Sequence, residues 1–135
     1  MATGFPEGRH ALVKRFVTVL VLISVCAVLV GGAGSLRRPG SMIEGSLLRM
    51  APLGSSPAEV LQAIEQKRWT HGAVRGVGFV KQESNRRMEI VGTKSVDAHL
   101  GDYGIFLKTS VDACWGFDAD GKLIAVWVWK TTDAP

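Results

Sequence analysis

CWGFDADGKLIAVWVWK, residues 114–130, carries three of the chain's four tryptophans and one of its two cysteines. Two apolar runs flank Asp118-Ala119-Asp120-Gly121. Asp at the first position and Gly at the fourth suit a type I turn whose glycine is left-handed. The stretch therefore predicts a β-hairpin in which Asp118 pairs with Lys122. Strict alternation from that turn sets Phe117 opposite Leu123, Trp115 opposite Ala125, Ala113 opposite Trp127 and Val111 opposite Trp129. Trp115, Phe117, Leu123, Trp127 and Trp129 then share one face. Asp112, Cys114, Gly116, Ile124, Val126 and Val128 share the other.

A helix must cover one of these faces. SSPAEVLQAIEQKRW supplies it. Ser56 is the N-cap, Pro57 falls at the first helical position, and Glu59 completes a capping box. Val60, Leu61 and Ile64 form one apolar stripe, and Trp69 closes the helix against the core. The remaining pattern reads as strands: VGFVK (77–81), RMEIV (87–91), GIFLKT (104–109), VDACWGF (111–117) and KLIAVWVW (122–129). A helix followed by strands joined through short turns predicts an α+β domain, one helix on an antiparallel sheet of four to five strands.

The tryptophan face meets the helix stripe, so core is its first reading. The competing one is an aromatic floor of Trp115, Trp127 and Trp129 for an apolar or planar ligand. Ile124, Val126 and Val128 make the opposite face half apolar, which calls for the N-terminal segment or a protein partner to cover it.

Several chemistries are disfavoured by spacing. Asp118 and Asp120 resemble the first ligands of a calcium loop, but Trp129 stands where the bidentate Glu belongs. GVGFVK lacks the third glycine and the helix of a dinucleotide site. The charges are mixed, with +4 net over 135 residues, and they form no basic stripe for nucleic acid. With Cys26 in the apolar segment, Cys114 has no partner for a disulfide inside the domain. As a nucleophile Cys114 would need His71 or His99 as base and Asp97, Asp102 or Asp112 as orienter. Their spacing matches no local catalytic signature, and a mid-strand thiol is the plainer reading. No catalytic residue, cofactor or metal is expected.

Phe16 to Val30, FVTVLVLISVCAVLV, has no charge and no proline, and Arg9, Lys14 and Arg15 precede it. Gly31, Gly32 and Ala33 follow. Basic, apolar, small is the order of a signal peptide cleaved near Ala33. It is equally the order of a single-pass anchor, since Phe16 to Leu36 supplies 21 residues of low polarity. The anchor is preferred, with residues 12–36 in the membrane and the basic flank holding the N-terminus inside. The chain then divides into an N-terminal segment (1–36), a linker and entry segment (37–52) and a small extracytoplasmic domain (53–135).

LGSSPAEVLQAI and the later GFDADGKLIAVWVWK resemble the small outer-membrane assembly lipoprotein family (SmpA/OmlA-like) and its relatives with the β-lactamase-inhibitor-protein type of fold. Gly54, Ser56, Val60 and Leu61 match the step that opens the family's helix. Asp120, Gly121, Lys122 and Leu123 match its late hairpin. The family's lipidated cysteine has no counterpart, because Val25 before Cys26 is not small. The resemblance implies a cell-envelope, periplasmic location and a binding role without catalytic residues. The expectation is a membrane-tethered envelope accessory protein that binds another protein. Small-ligand binding on the tryptophan face is the second reading and a thiol enzyme through Cys114 the third.

Overall fold

The computed structural model describes residues 34–134. The apolar run at 16–30 and the cleavage point at Ala33 lie outside the described residues. Among those described, no helix is long and apolar enough to cross a membrane. Two helices, α1 (Gly40–Met50) and α2 (Pro57–Gln66), precede six strands: β1 (Thr70–His71), β2 (Phe79–Gln82), β3 (Met88–Val91), β4 (Lys94–Tyr103), β5 (Thr109–Phe117) and β6 (Leu123–Thr132). Strands β1, β4, β5 and β6 form an antiparallel sheet in that order, and β2 pairs with β3 as a separate hairpin. The fold is α+β, as expected, and among the described residues α1 joins α2, where one helix was expected.

Helix α2 begins where its cap chemistry places it. The Glu59 N–H donates to Ser56 Oγ at 3.2 Å, and the Ser56 N–H donates to Glu59 Oε2 at 2.6 Å. Val60 and Ile64 are fully buried, and Trp69 packs against the core beyond the helix end.

Helix α1 occupies the segment read from sequence as linker. Pro39 at its N-cap makes no side-chain cap and its first turn has no acidic residue, so the usual start signals are missing. Its reason to exist is tertiary. Ile43 and Leu47, one turn apart, enter the core. Glu44 Oε1 also accepts the Val128 N–H at 2.9 Å, which satisfies a donor on the edge strand β6.

The turn at 118–121 forms as predicted. The Asp118 N–H donates to the Lys122 carbonyl at 2.9 Å, the Lys122 N–H donates to Asp118 Oδ1 at 2.8 Å, and Gly121 has φ +75°. The register beyond it does not follow strict alternation. Phe117 pairs with Leu123, but Gly116 pairs with Ala125, leaving Ile124 as an extra residue in β6. From there Trp115 faces Val126, Cys114 faces Trp127, Ala113 faces Val128 and Asp112 faces Trp129. One extra residue inverts the faces of everything after it. Val126 and Val128 join Trp115 and Phe117 in the core, while Trp127 and Trp129 turn to the other side.

Strand β4 was not anticipated, and GIFLKT is not a strand. Val96, Ala98 and Leu100 are the buried positions of β4, and Ser95 is buried among them. Gly104 to Lys108 form the loop from β4 to β5, with Ile105 and Phe106 91% and 98% exposed. Gly104 has φ +110°, and a Cβ there would collide with the Leu107 carbonyl.

Candidate functional site

The helices cover one face of the sheet. The opposite face is built from side chains that register sets in rows. Asp97, Cys114 and Trp127 are neighbours across β4, β5 and β6, and His99, Asp112 and Trp129 form the next row. The row beyond Cys114 is Ser95, Gly116 and Ala125, small residues that leave room above them. Phe79 of the β2–β3 hairpin fills that room, so close that a Cβ on Gly116 would lie 2.8 Å from its ring. The Ser95 hydroxyl ties the hairpin down by donating to the Val77 carbonyl at 2.8 Å.

Phe79 then starts an aromatic series. Its ring is nearly parallel to Trp127, with centroids 6.2 Å apart, and Trp127 stacks on Trp129 at 5.1 Å. Both indoles are half-buried. A recess opens at either end of the pair. One, of about 550 Å³, has Trp127 beneath it, Gly40, Ser41 and Glu44 on one side and the hairpin turn around Gln82 to Asn85 on the other. The second, about 280 Å³, lies between Trp129, His71, Asp97, His99 and Asp112.

A second bulge shapes this polar end. Register passes from His99 opposite Asp112 to Gly101 opposite Val111, so Leu100 is extra. His99 and Asp102 consequently point to one face although three residues apart. His99 Nδ1 lies 2.9 Å from Asp112 Oδ1, and its Nε2 lies 3.3 Å from Asp102 Oδ1. Carboxylates meet both ring nitrogens, which fixes the imidazole and leaves neither nitrogen aimed freely into the recess. Lys108 Nζ donates to Asp102 Oδ2 and Ser110 Oγ to Oδ1, each at 2.8 Å. The Lys108 bond, then the Ser110 bond, hold the Asp102 carboxyl below the usual carboxylate range. Arg75 Nη2 pairs with Asp97 Oδ1 at 3.1 Å over the neighbouring row.

Cys114 lies under this layer and is 2% exposed. Burial pushes its thiol up to about 11, against the partial counter-effect of the Arg75 guanidinium 3.9 Å away. At neutral pH it is a protonated, packed sulfur rather than a thiolate. Among the described residues no group of acidic, His and Cys side chains is arranged to hold a metal ion.

Of the six binding candidates read from sequence, the structure brings Trp127 and Trp129 together on the open face. Trp115 is 1% exposed in the core, Val128 is buried and Val126 packs against the core, while Ile124 is 44% exposed at the bulge. The apolar surface of Ile124, Val126 and Val128 therefore does not exist as one patch. Phe79 was missed because its hairpin packs face to face on the sheet, and Arg75 because only an isolated bridge to Ser95 places it; neither contact leaves a periodic trace. His99, Asp102 and Asp112 were noted singly; strand register joins His99 to Asp112, and the bulge adds Asp102. Comparison with known proteins returns no matching family model, no matching curated protein and no matching solved structure.

Proposed function

We propose that this chain is a membrane-tethered, extracytoplasmic binding domain of the cell envelope, and that it holds a protein partner on the open sheet face around Trp127 and Trp129. The observation that carries this reading is the half-buried indole pair between two recesses, on the face without helices. A large aromatic anchor with a polar rim is the chemistry of a binding surface. The rim here is Arg75, Asp97, His99 and Asp112. No catalytic role is proposed, since Cys114 is a buried thiol and both nitrogens of His99 are occupied. The tether rests on the uncharged run Phe16 to Val30 with Arg9, Lys14 and Arg15 before it.

The test is a photo-activatable phenylalanine analogue at position 129 of the full chain, illuminated in native membranes. A discrete protein adduct from position 129, absent when the probe stands at Ala119 in the distant turn, is the expected result. Adducts at neither position, or equal adducts at both, count against the site. The recess of about 280 Å³ beside Trp129 favours a second reading, a small planar ligand. That reading predicts a low-mass adduct from position 129 in place of a protein.

A further inference from the structure

Three consecutive large apolar side chains stand at the tip of the β4–β5 loop. Ile105 is 91% exposed, Phe106 98% and Leu107 47%. Exposure that complete is unusual for adjacent large apolar residues in a chain with a buried core to hold them. The loop is built rather than slack. Gly104 at φ +110° makes a turn too tight for any Cβ. Lys108 is tied to Asp102 at 2.8 Å, and the Asp133 N–H donates to the Lys108 carbonyl at 3.0 Å. The fold thus presents the apolar tip at a fixed place.

That place is where the chain enters the domain. Lys130 Nζ donates to the carbonyls of Leu36 and Arg38, at 2.7 Å each, and lies 5.2 Å from the Tyr103 ring centroid. The Arg37 guanidinium lies 5.9 Å from the same ring. Tyr103 is the residue before the loop. Arg37 and Lys130 thus lie beside Tyr103 at the base of the loop, next to Arg38 in the chain, and Lys108 ends the loop against Asp102. Six residues, Gly31 to Leu36, separate this end from the apolar run, a reach of at most about 22 Å.

We infer that the Ile105-Phe106-Leu107 loop seats in the lipid surface, with the arginines and lysines around it facing anionic headgroups. An apolar tip with basic side chains at its base matches the interfacial layer of a bilayer, where an aromatic ring sits at headgroup depth and cations meet lipid phosphates. The inference rests on the tether proposed above, which keeps this end of the domain within reach of the membrane. Seating the loop also fixes how the domain stands, with the 118–121 turn at the other end of β5 pointing away from the bilayer.

The test uses the full chain with Cys26→Ser, spin-labelled through Phe106→Cys or, as the comparison, through Ala119→Cys. Each is reconstituted in vesicles of phosphatidylcholine and phosphatidylglycerol. The buried Cys114 labels only slowly, and the Cys26→Ser chain carried through the same labelling sets that background. Relative accessibility to oxygen over a water-soluble nickel complex should be several-fold higher at 106 than at 119, and should drop when phosphatidylglycerol is omitted. Equal accessibility at the two positions, in a chain that floats with the vesicles, overturns the inference and leaves the tether standing. A chain that does not float with vesicles overturns both. A label at 106 that is water-exposed in these vesicles but shielded in native membranes assigns the loop to a protein and likewise overturns it.

Discussion

Trp115 and Trp127 are twelve residues apart on paired strands, and they lie on opposite faces of the sheet because Ile124 is an extra residue between the turn and Trp127. Trp115 is sealed in the core at 1% exposure, and Trp127 stacks between Phe79 and Trp129 on the open face. A plain hairpin would have buried all of them together. The same device recurs at Leu100, which brings His99 and Asp102 to one side. Two bulges therefore make the candidate site.

The tryptophans should differ in what they contribute to stability. Trp115→Ala should cost about 3–5 kcal/mol, the range for a truncated buried aromatic. Trp127→Ala should cost only about 1–2 kcal/mol, the loss of partial burial and one stacked neighbour on each side. Urea denaturation of the two variants measures both.

Gly116 should reject even a methyl group. A Cβ at this position meets the Phe79 ring at 2.8 Å and Val91 Cγ1 at 3.3 Å. Gly116→Ala should cost about 1–3 kcal/mol through overpacking. Hydrogen exchange should localise the change, with amides of β2 and β3 exchanging faster while those of β4 and β5 hold.

Acid should weaken the domain through two carboxylates whose folded values are depressed. For Asp102 the cause is first the Lys108 bond and then Ser110; for Glu59 it is first the Ser56 backbone N–H and then the Ser56 side chain. A depressed folded value means the unfolded chain takes up protons first. The stabilisation is therefore present above the unfolded values, roughly pH 4, and is lost as pH falls through the lower folded values. Asp102→Asn should lower stability at neutral pH, where the carboxylate's contribution is fully present, and flatten the profile in that acidic window. Unfolding midpoints measured from pH 2 to 6, on the order of the span these groups titrate over, check this.

Cys114 should react slowly with a thiol reagent at neutral pH, and its labelling should speed up only as the domain unfolds. Burial keeps it protonated up to about 11. Cys114→Ser should cost stability without touching the binding of a partner, because the thiol lies beneath the surface layer. Labelling rate against denaturant, read by mass, decides the first point.

How far the sequence announces this fold depends on the kind of signal. Ser56, Pro57 and Glu59 fix a helix start by local hydrogen bonding, and Asp118 to Gly121 fix a turn, so both are readable from a few residues. Helix α1 has no such cap, and its justification is Ile43 and Leu47 reaching the core, which local pattern does not display. The alternation of Val96, Ala98 and Leu100 was available in β4 but is diluted by small and polar neighbours. The site was the least readable part. Its aromatic pair and its His99 cluster both depend on where one extra residue falls, and alternation assumes there is none.

The outward setting of Trp127 and Trp129 is the foundation of the proposed binding face. Fluorine NMR of the protein grown with 5-fluorotryptophan, each resonance assigned by single Trp→Phe variants, tests it directly with a soluble paramagnetic agent. The resonances of Trp127 and Trp129 should broaden while that of Trp115 stays sharp. Equal protection of Trp115, Trp127 and Trp129, together with tolerance of Val126→Asp and Val128→Asp, would contradict the account, because the plain hairpin register would then hold and the open aromatic face would not exist.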